Sequence, residues 1–239
     1  MKKILLALSF LFCFQIVSSA QYGISIAYKS ITAKNWESII IEHKAHESVT
    51  ALISPFSEGI HFGVDYWFRL KNYRVEFVPE LNVSKYTRFW EKEIITEQIT
   101  TNFIGFHFNT NFYVFDLKGD CDCPTFSKDG NDIAKGFFIQ LAPGINYIAN
   151  SYREVDNTRR ASDFAPSAGI GVGVDIGLSD FLTITPMLKY QRYFNVEWEG
   201  LNEYFDTDQP LSPELNTNHI DQVFAGVKIG LRFDELNKY

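Results

Sequence analysis

Along much of this chain apolar and polar residues alternate one by one, in eight separate stretches. A period of two is the mark of a β-strand whose two faces meet different surroundings. In the first stretch Tyr22, Ile24, Ile26 and Tyr28 share one face, against Ser25, Ala27 and Lys29. The second sets Ile60, Phe62, Val64, Tyr66 and Phe68 against His61, Gly63, Asp65, Trp67 and Arg69. The third sets Val75, Phe77, Pro79, Leu81 and Val83 against Arg74, Glu76, Glu80, Asn82 and Ser84. In the fourth, Ile104, Phe106, Phe108 and Phe112 oppose Gly105, His107, Asn109 and Asn111. The fifth runs from Phe137 to Tyr147, with Gln140, Ala142, Gly144 and Asn146 on its polar side. In the sixth, Ile170, Val172, Val174 and Ile176 alternate with Gly169, Gly171, Gly173 and Asp175. The seventh places Leu182, Ile184, Leu188, Tyr190, Phe194 and Val196 on one face, and Thr183, Thr185, Lys189, Gln191, Tyr193 and Asn195 on the other. The eighth sets Val223, Ala225, Val227, Ile229, Leu231 and Phe233 against Gln222, Phe224, Gly226, Lys228, Gly230 and Arg232.

A soluble sandwich or lipocalin-like barrel has the same period, with inside and outside exchanged. Here the apolar faces are long and nearly free of charge, Arg192 being the main exception. The opposite faces carry glycine and charges of both signs, and Tyr and Trp recur towards strand ends. Those are the traits of strands whose apolar side meets lipid. The pattern predicts an all-β fold, an eight-stranded antiparallel up-and-down barrel spanning the outer membrane of a Gram-negative envelope.

Residues 1–20 depart from the alternation. Met1, Lys2 and Lys3 precede an apolar run from Ile4 to Val17, then Ser18, Ser19 and Ala20. That is the layout of a cleavable signal peptide, leaving 21–239 as one barrel domain. Its apolar run is shorter than the ~20 residues of a spanning helix. The connections alternate in length. Residues 31–58, 91–97, 151–164 and 199–218 read as external loops, while Lys71-Asn72 and Leu178 to Asp180 read as minimal turns. Short turns belong on the periplasmic side, so both termini are expected in the periplasm. The connection 117–134 is periplasmic by parity yet long. Residues 35–47 fit either a short helix in the first external loop or an extension of its flanking strands. Pro79, Pro143 and Pro186 all fall on outward faces, where a lost ladder bond suggests irregular pairing.

Loss of the leader takes the formal charge from −7 to −9, which argues against a nucleic-acid partner. Cys121 and Cys123 are a possible disulfide, with a tight ring; no residue set suggests a metal or other cofactor. The inward positions Lys29, His61, Asp65, Arg69, Arg74, Glu76, Glu80, His107, Asp175, Lys189, Lys228 and Arg232 suggest a charge network filling the lumen. Buried charges need partners or water, and a barrel of this size is filled by side chains. A structural or accessory role in the envelope follows, without catalysis, in contact with outer-membrane lipid and with a larger protein complex for secretion or nutrient import. Two alternatives stand: a narrow channel, and a lipid-modifying enzyme using His61 or His107.

The chain resembles the small outer-membrane β-barrel proteins of the porin-like kind, related in architecture to the OmpA membrane domain and OmpX, in the style of Bacteroidota. The resemblance covers nearly all of 21–239 and rests on the strand pattern. It implies a non-enzymatic role. The segment Gly119 to Asn131, GDCDCPTFSKDGN, looks lineage-specific. The last strand ends at Phe233, before a polar tail, and not on a terminal aromatic residue.

Overall fold

A computed structural model describes residues 21–46, 58–69, 74–92, 95–114, 136–154, 157–179, 181–201 and 216–232. The leader, Cys121, Cys123 and all of 117–134 lie outside them. Ten strands and one helix follow in order: β1 (Gln21–Thr32), α1 (Lys34–His46), β2 (Gly59–Arg69), β3 (Val75–Lys92), β4 (Ile95–Tyr113), β5 (Phe137–Leu141), β6 (Gly144–Glu154), β7 (Asn157–Val174), β8 (Ile176–Gly177), β9 (Leu182–Glu197) and β10 (Thr217–Arg232).

All pairings are antiparallel, and they close. β1 joins β2 and β10; β2 joins β3, β3 joins β4, β4 joins β6, β6 joins β7, β7 joins β9, and β9 joins β10. That is a ring of eight, the expected barrel, with no free edge. β5 and β6 are one wall strand interrupted at Ala142-Pro143. β5 keeps its neighbours β4 and β7, and Pro143 O still accepts from Phe108 N at 2.8 Å. The register runs unbroken through Pro79 towards β4 and through Pro186 towards β10. On the other side of each proline the ladder is interrupted, at Tyr66-Trp67 opposite Pro79 and at Val174-Asp175 opposite Pro186, so pairing is irregular at all three prolines.

The start of β1, the end of β10 and the facing ends of β2 and β3, β4 and β5, and β8 and β9 define one end, here the lower. α1 sits at the upper end. Two upper connections are shorter than expected. β3 and β4 pair from Val75 out to Lys92 and Ile95, and β6 and β7 out to Glu154 and Asn157. Most of 91–97 and 151–164 is therefore strand.

Side-chain direction follows the alternation through the lower part of the wall. Tyr22, Ile24, Ile26 and Tyr28 are exposed while Ser25, Ala27 and Lys29 are buried. The phase then reverses. On β3, Val83 is the last outward apolar residue of the lower wall; Lys85 and Thr87 follow it, and Tyr86 points in. On β4, outward Ile104 gives way to Asn102, and Phe103 and Ile99 are buried. β6 changes between outward Tyr147 and Ser151, with Ile148 and Tyr152 inside; β9 changes between Tyr190 and Arg192, with Tyr193 inside. β10 changes between Val223 and Asp221, with Ile220 inside. Neighbouring strands make the switch at adjoining rungs.

Above that level the barrel core is mainly apolar and is completed by α1, with two buried polar pairs within it, Tyr152–Glu97 and Thr101–Asn150. Trp36, Ile39 and Ile40 recur at helical spacing and are buried among Ile31, Phe103, Tyr152, Tyr193, Trp198 and Leu201. Glu37 fixes the helix start: its N donates to Ala33 O at 2.9 Å, the first turn of the helix, and its carboxylate reaches back to accept from Ala33 N at 3.0 Å, satisfying a backbone donor at the helix entry. Of the two readings of 35–47, the helix is the one formed.

Val196 departs from its expected outward position. Asn195 has φ 53°, and Phe194 and Asn195 together oppose the single residue His219, where the register shifts. This is a β-bulge, with asparagine in the left-handed region it tolerates. The extra residue flips parity, so Val196 is fully buried and Asn195 exposed.

Candidate functional site

The lower lumen holds the polar residues that alternation placed inward. Lys29, His61, Asp65, Glu76, Glu80, His107, Asp175, Lys189 and Lys228 are all buried. Arg74 is half-buried at the lower rim. Arg69 pairs with Glu76 across β2–β3, and Arg232 with Gln21 across β10–β1; their side chains lie outside the described set.

Three groups organise these residues. Near the lower end, Tyr113 places its hydroxyl against Glu76 Oε2 at 2.5 Å and also against Asp175, which accepts from Thr185 Oγ1 as well. Beside them Lys228 Nζ lies 3.7 Å from Asp65 Oδ1 and 5.5 Å from the centre of the Trp67 ring. At mid-height Glu80 takes Asn109 Nδ2 at 3.0 Å on one oxygen and faces His61 Nε2 at 3.4 Å with the other. Higher still, the ammonium groups of Lys29 and Lys189 sit over the Phe224 ring, at 5.7 and 5.1 Å from its centre. Phe224 is where the polar lumen meets the upper core: its other neighbour is His61, edge-on at 5.1 Å.

Amides join the groups. Asn82 Nδ2 donates to His107 Nδ1 at 3.3 Å, and His107 Nε2 donates to Asn146 Oδ1 at 3.0 Å. Asn146 donates to Ser167 Oγ at 2.8 Å, which also accepts from Gln191 at 2.9 Å. Gly105 is required here: a Cβ would stand 2.1 Å from Asn146 Oδ1. Gly173 likewise leaves room for the Phe138 ring, 2.4 Å from where its Cβ would be, as the glycine-rich sixth stretch suggests.

The structure brings a serine, a histidine and a glutamate together. His61 Nδ1 is 3.0 Å from Ser84 Oγ, with Glu80 at the opposite ring nitrogen and Ser25 Oγ at 3.4 Å from the same Nε2. A nucleophile, base and orienting acid have this composition. A reacting atom also needs room beside them. The space is filled: a Cβ on Gly63 would meet Ser25 Oγ at 2.4 Å and His61 Nε2 at 3.2 Å. His61 is fully buried, and the apolar core seals the lumen above it. His107 is held by two amides at its ring nitrogens and faces Glu80 across the β3–β4 pair. Among the described residues no group of His, Cys, Asp and Glu is arranged for a metal.

The upper cap is the element that strand parity missed. Trp36 packs edge-on against Trp198, ring centres 5.3 Å apart at 84°. Its indole N–H donates to Asn216 O at 3.0 Å, and Asn35 Nδ2 donates to Thr217 O at 3.2 Å. The available signal was Trp36, Ile39 and Ile40 at a helical period in a chain otherwise of period two.

No known family's sequence profile matches the chain, and no curated protein matches it. Solved structures of similar shape include the Neisserial surface protein A (TM-score 0.44, 7% identity, covering 90% of this chain and 97% of that one). Ail, the attachment invasion locus protein of Yersinia pestis, has TM-score 0.44, 12% identity, and covers 90% and 99%. The outer membrane protease OmpT of Escherichia coli has TM-score 0.40, 7% identity, and covers 90% and 97%. These neighbours are outer-membrane β-barrels. The fold of this chain stands on its own strand pairings.

Proposed function

We propose that the protein spans an outer membrane as a barrel closed to diffusion, and serves without catalysis as a structural or accessory subunit of a larger envelope complex. The phase reversal of the wall carries this reading. Below one level the apolar side chains point out and the charges in; above it the apolar side chains point in. A soluble barrel has no reason to exchange its faces part-way up, whereas a wall passing from hydrocarbon to water does. The outward apolar run from Val223 to Leu231 on β10, or from Leu182 to Tyr190 on β9, matches the ~9–11 residues a tilted strand needs to cross. The reversed upper end then lies in water outside the cell, and the termini and the 117–134 connection in the periplasm.

The cap supports closure. A fully buried Trp36–Trp198 pair stands over a lumen crossed by Lys29, Lys189 and Phe224, which favours a closed barrel over a channel. The projecting β3–β4 and β6–β7 strands support a partner-binding role. They hold a paired-strand surface above the membrane, including Phe89, which is 58% exposed. Isolation of the native protein in mild detergent, with identification of co-purifying chains, tests the accessory role. Recovery as a free monomer in every gentle extraction overturns it. Planar-bilayer recording tests closure: no steady conductance is expected, and a stable ohmic step refutes it.

A further inference from the structure

The outer wall is uneven where its phase reverses. A hollow of about 710 Å³ opens there across β2, β3 and β4. Its floor is apolar, made by Ile60, Phe62, Val83 and Ile104, and its upper rim by Lys85, Thr87 and Asn102. A second hollow of about 550 Å³ continues from Asn102 across β6 and β7. It is polar, with Asn150, Ser151, Ser162 and Arg160 among its lining. Strand pairing aligns the two: Lys85 is opposite Asn102, Asn102 opposite Ala149, and Ala149 opposite Ser162, while one rung higher Thr87, Thr100, Ser151 and Arg160 form the parallel row. An apolar trough ending in a cation, and continuing into a hydroxyl- and amide-lined basin with a second cation, straddles the boundary between hydrocarbon and water.

We infer that this composite groove binds one phosphorylated glycolipid of the surrounding leaflet. The inference rests on the membrane reading above. An acyl chain lies along Ile60, Phe62, Val83 and Ile104, where burial of apolar surface favours it. The headgroup crosses β4 and β6, its hydroxyls meeting Asn102, Ser151 and Ser162. Its phosphates meet Lys85 and Arg160, and an arginine takes a phosphate through two parallel bonds. Three strand spacings of about 4.8 Å separate β3 from β7, a width that a disaccharide headgroup bridges and a single phosphate does not. Two carboxylates line the groove. Glu58 is engaged by the Tyr28 hydroxyl. Glu199 is the one acid among the described residues of the polar hollow, and it opposes a phosphate there. On the opposite wall the Arg192 guanidinium is already held by Asp221 at 2.6 and 2.9 Å.

The test uses the full mature chain folded in detergent micelles and native mass spectrometry. The probes are a bisphosphorylated disaccharide glycolipid and its dephosphorylated form. One phosphorylated molecule per barrel is expected to survive delipidation, and the dephosphorylated form is not. The Lys85→Ala/Arg160→Ala double variant is expected to retain the probe roughly thirty-fold more weakly, from two juxtamembrane cations. Glu199→Gln strengthens retention, and Arg192→Ala leaves it unchanged. Equal retention of the two probes by the wild-type chain overturns the inference whether or not the double variant folds, as does a double variant that binds like the wild type. Fractionation of cells separates the two levels: a chain absent from the outer membrane sinks the membrane reading itself, whereas a membrane-resident barrel blind to the phosphates sinks only the site.

Discussion

The lower and upper halves of this barrel share eight strands and one hydrogen-bonded wall, yet they are opposite kinds of protein. The lower half keeps its charges and amides inside and its apolar side chains outside. The upper half buries Trp36, Phe103, Ile148, Tyr193 and Trp198 under polar outward rungs, as a water-soluble domain does. Backbone pairing is indifferent to the change, since every rung satisfies the same N–H and C=O groups. What differs is the solvent each face meets. Stability therefore comes from different sources in the two halves: apolar packing above, and below, a satisfied polar lumen with a lipid-matched surface.

Substitutions chosen in matched positions break or sharpen this contrast. The largest effect is expected in the upper core. Trp36→Ala removes a fully buried indole and costs about 3–5 kcal/mol, measured by denaturant unfolding in lipid vesicles; a cost under ~1 kcal/mol shows that the cap adds little. In the lower lumen Lys228→Met leaves Asp65 buried beside a lost cation and costs about 3 kcal/mol. Adding Asp65→Leu recovers most of that loss, and a double-mutant cycle with no coupling refutes the pair. On the outward face, Phe106→Arg faces hydrocarbon and costs about 2–4 kcal/mol, while Thr87→Arg, above the boundary, costs ~0–1. Equal costs place no boundary between them. The smallest effect belongs to the exposed Arg192–Asp221 pair just above the boundary. The Arg192 guanidinium, hydrogen-bonded to Asp221, holds that carboxyl below its ordinary range. Its folded-state affinity for a proton is thus depressed. The pair's contribution is present above the unfolded carboxylate pKa and fades as pH falls through the lower folded value. Asp221→Asn is expected to flatten the acid limb of a stability-against-pH curve slightly; an unaltered limb shows that the pair is idle.

Sequence reading reached the lower half far better than the upper one. Lipid tolerates no charge over a long face, so the alternation in β1, β2, β9 and β10 is nearly free of error. The lumenal positions of Lys29, His61, Glu80 and Lys228 follow from parity alone. Parity gives a face and not a height or a partner, so the bonds of Tyr113 to Glu76 and Asp175, and of His107 to two asparagines, were not legible. Residues 91–97 and 151–164 read as loops because the apolar phase reverses there, and a search for one continuous outward face ends at the reversal. Parity puts Val196 on the outward face because the bulge at Asn195 adds one residue to the count, and an asparagine before a valine does not announce it.

The cap has one more consequence, and it concerns the order in which the molecule is finished. α1 follows the first strand directly, yet Trp36 bonds to Asn216, 180 residues further along the chain, and packs edge-on against Trp198. The start and the end of the polypeptide thus meet twice, once at the β1–β10 seam and once inside the mouth. A contact of such separation forms late. The helix cannot seat until the final hairpin has arrived, so a truncated or half-inserted barrel keeps an open mouth and an unburied tryptophan. Seating of Trp36 then reports completion, a latch that only the whole chain can close.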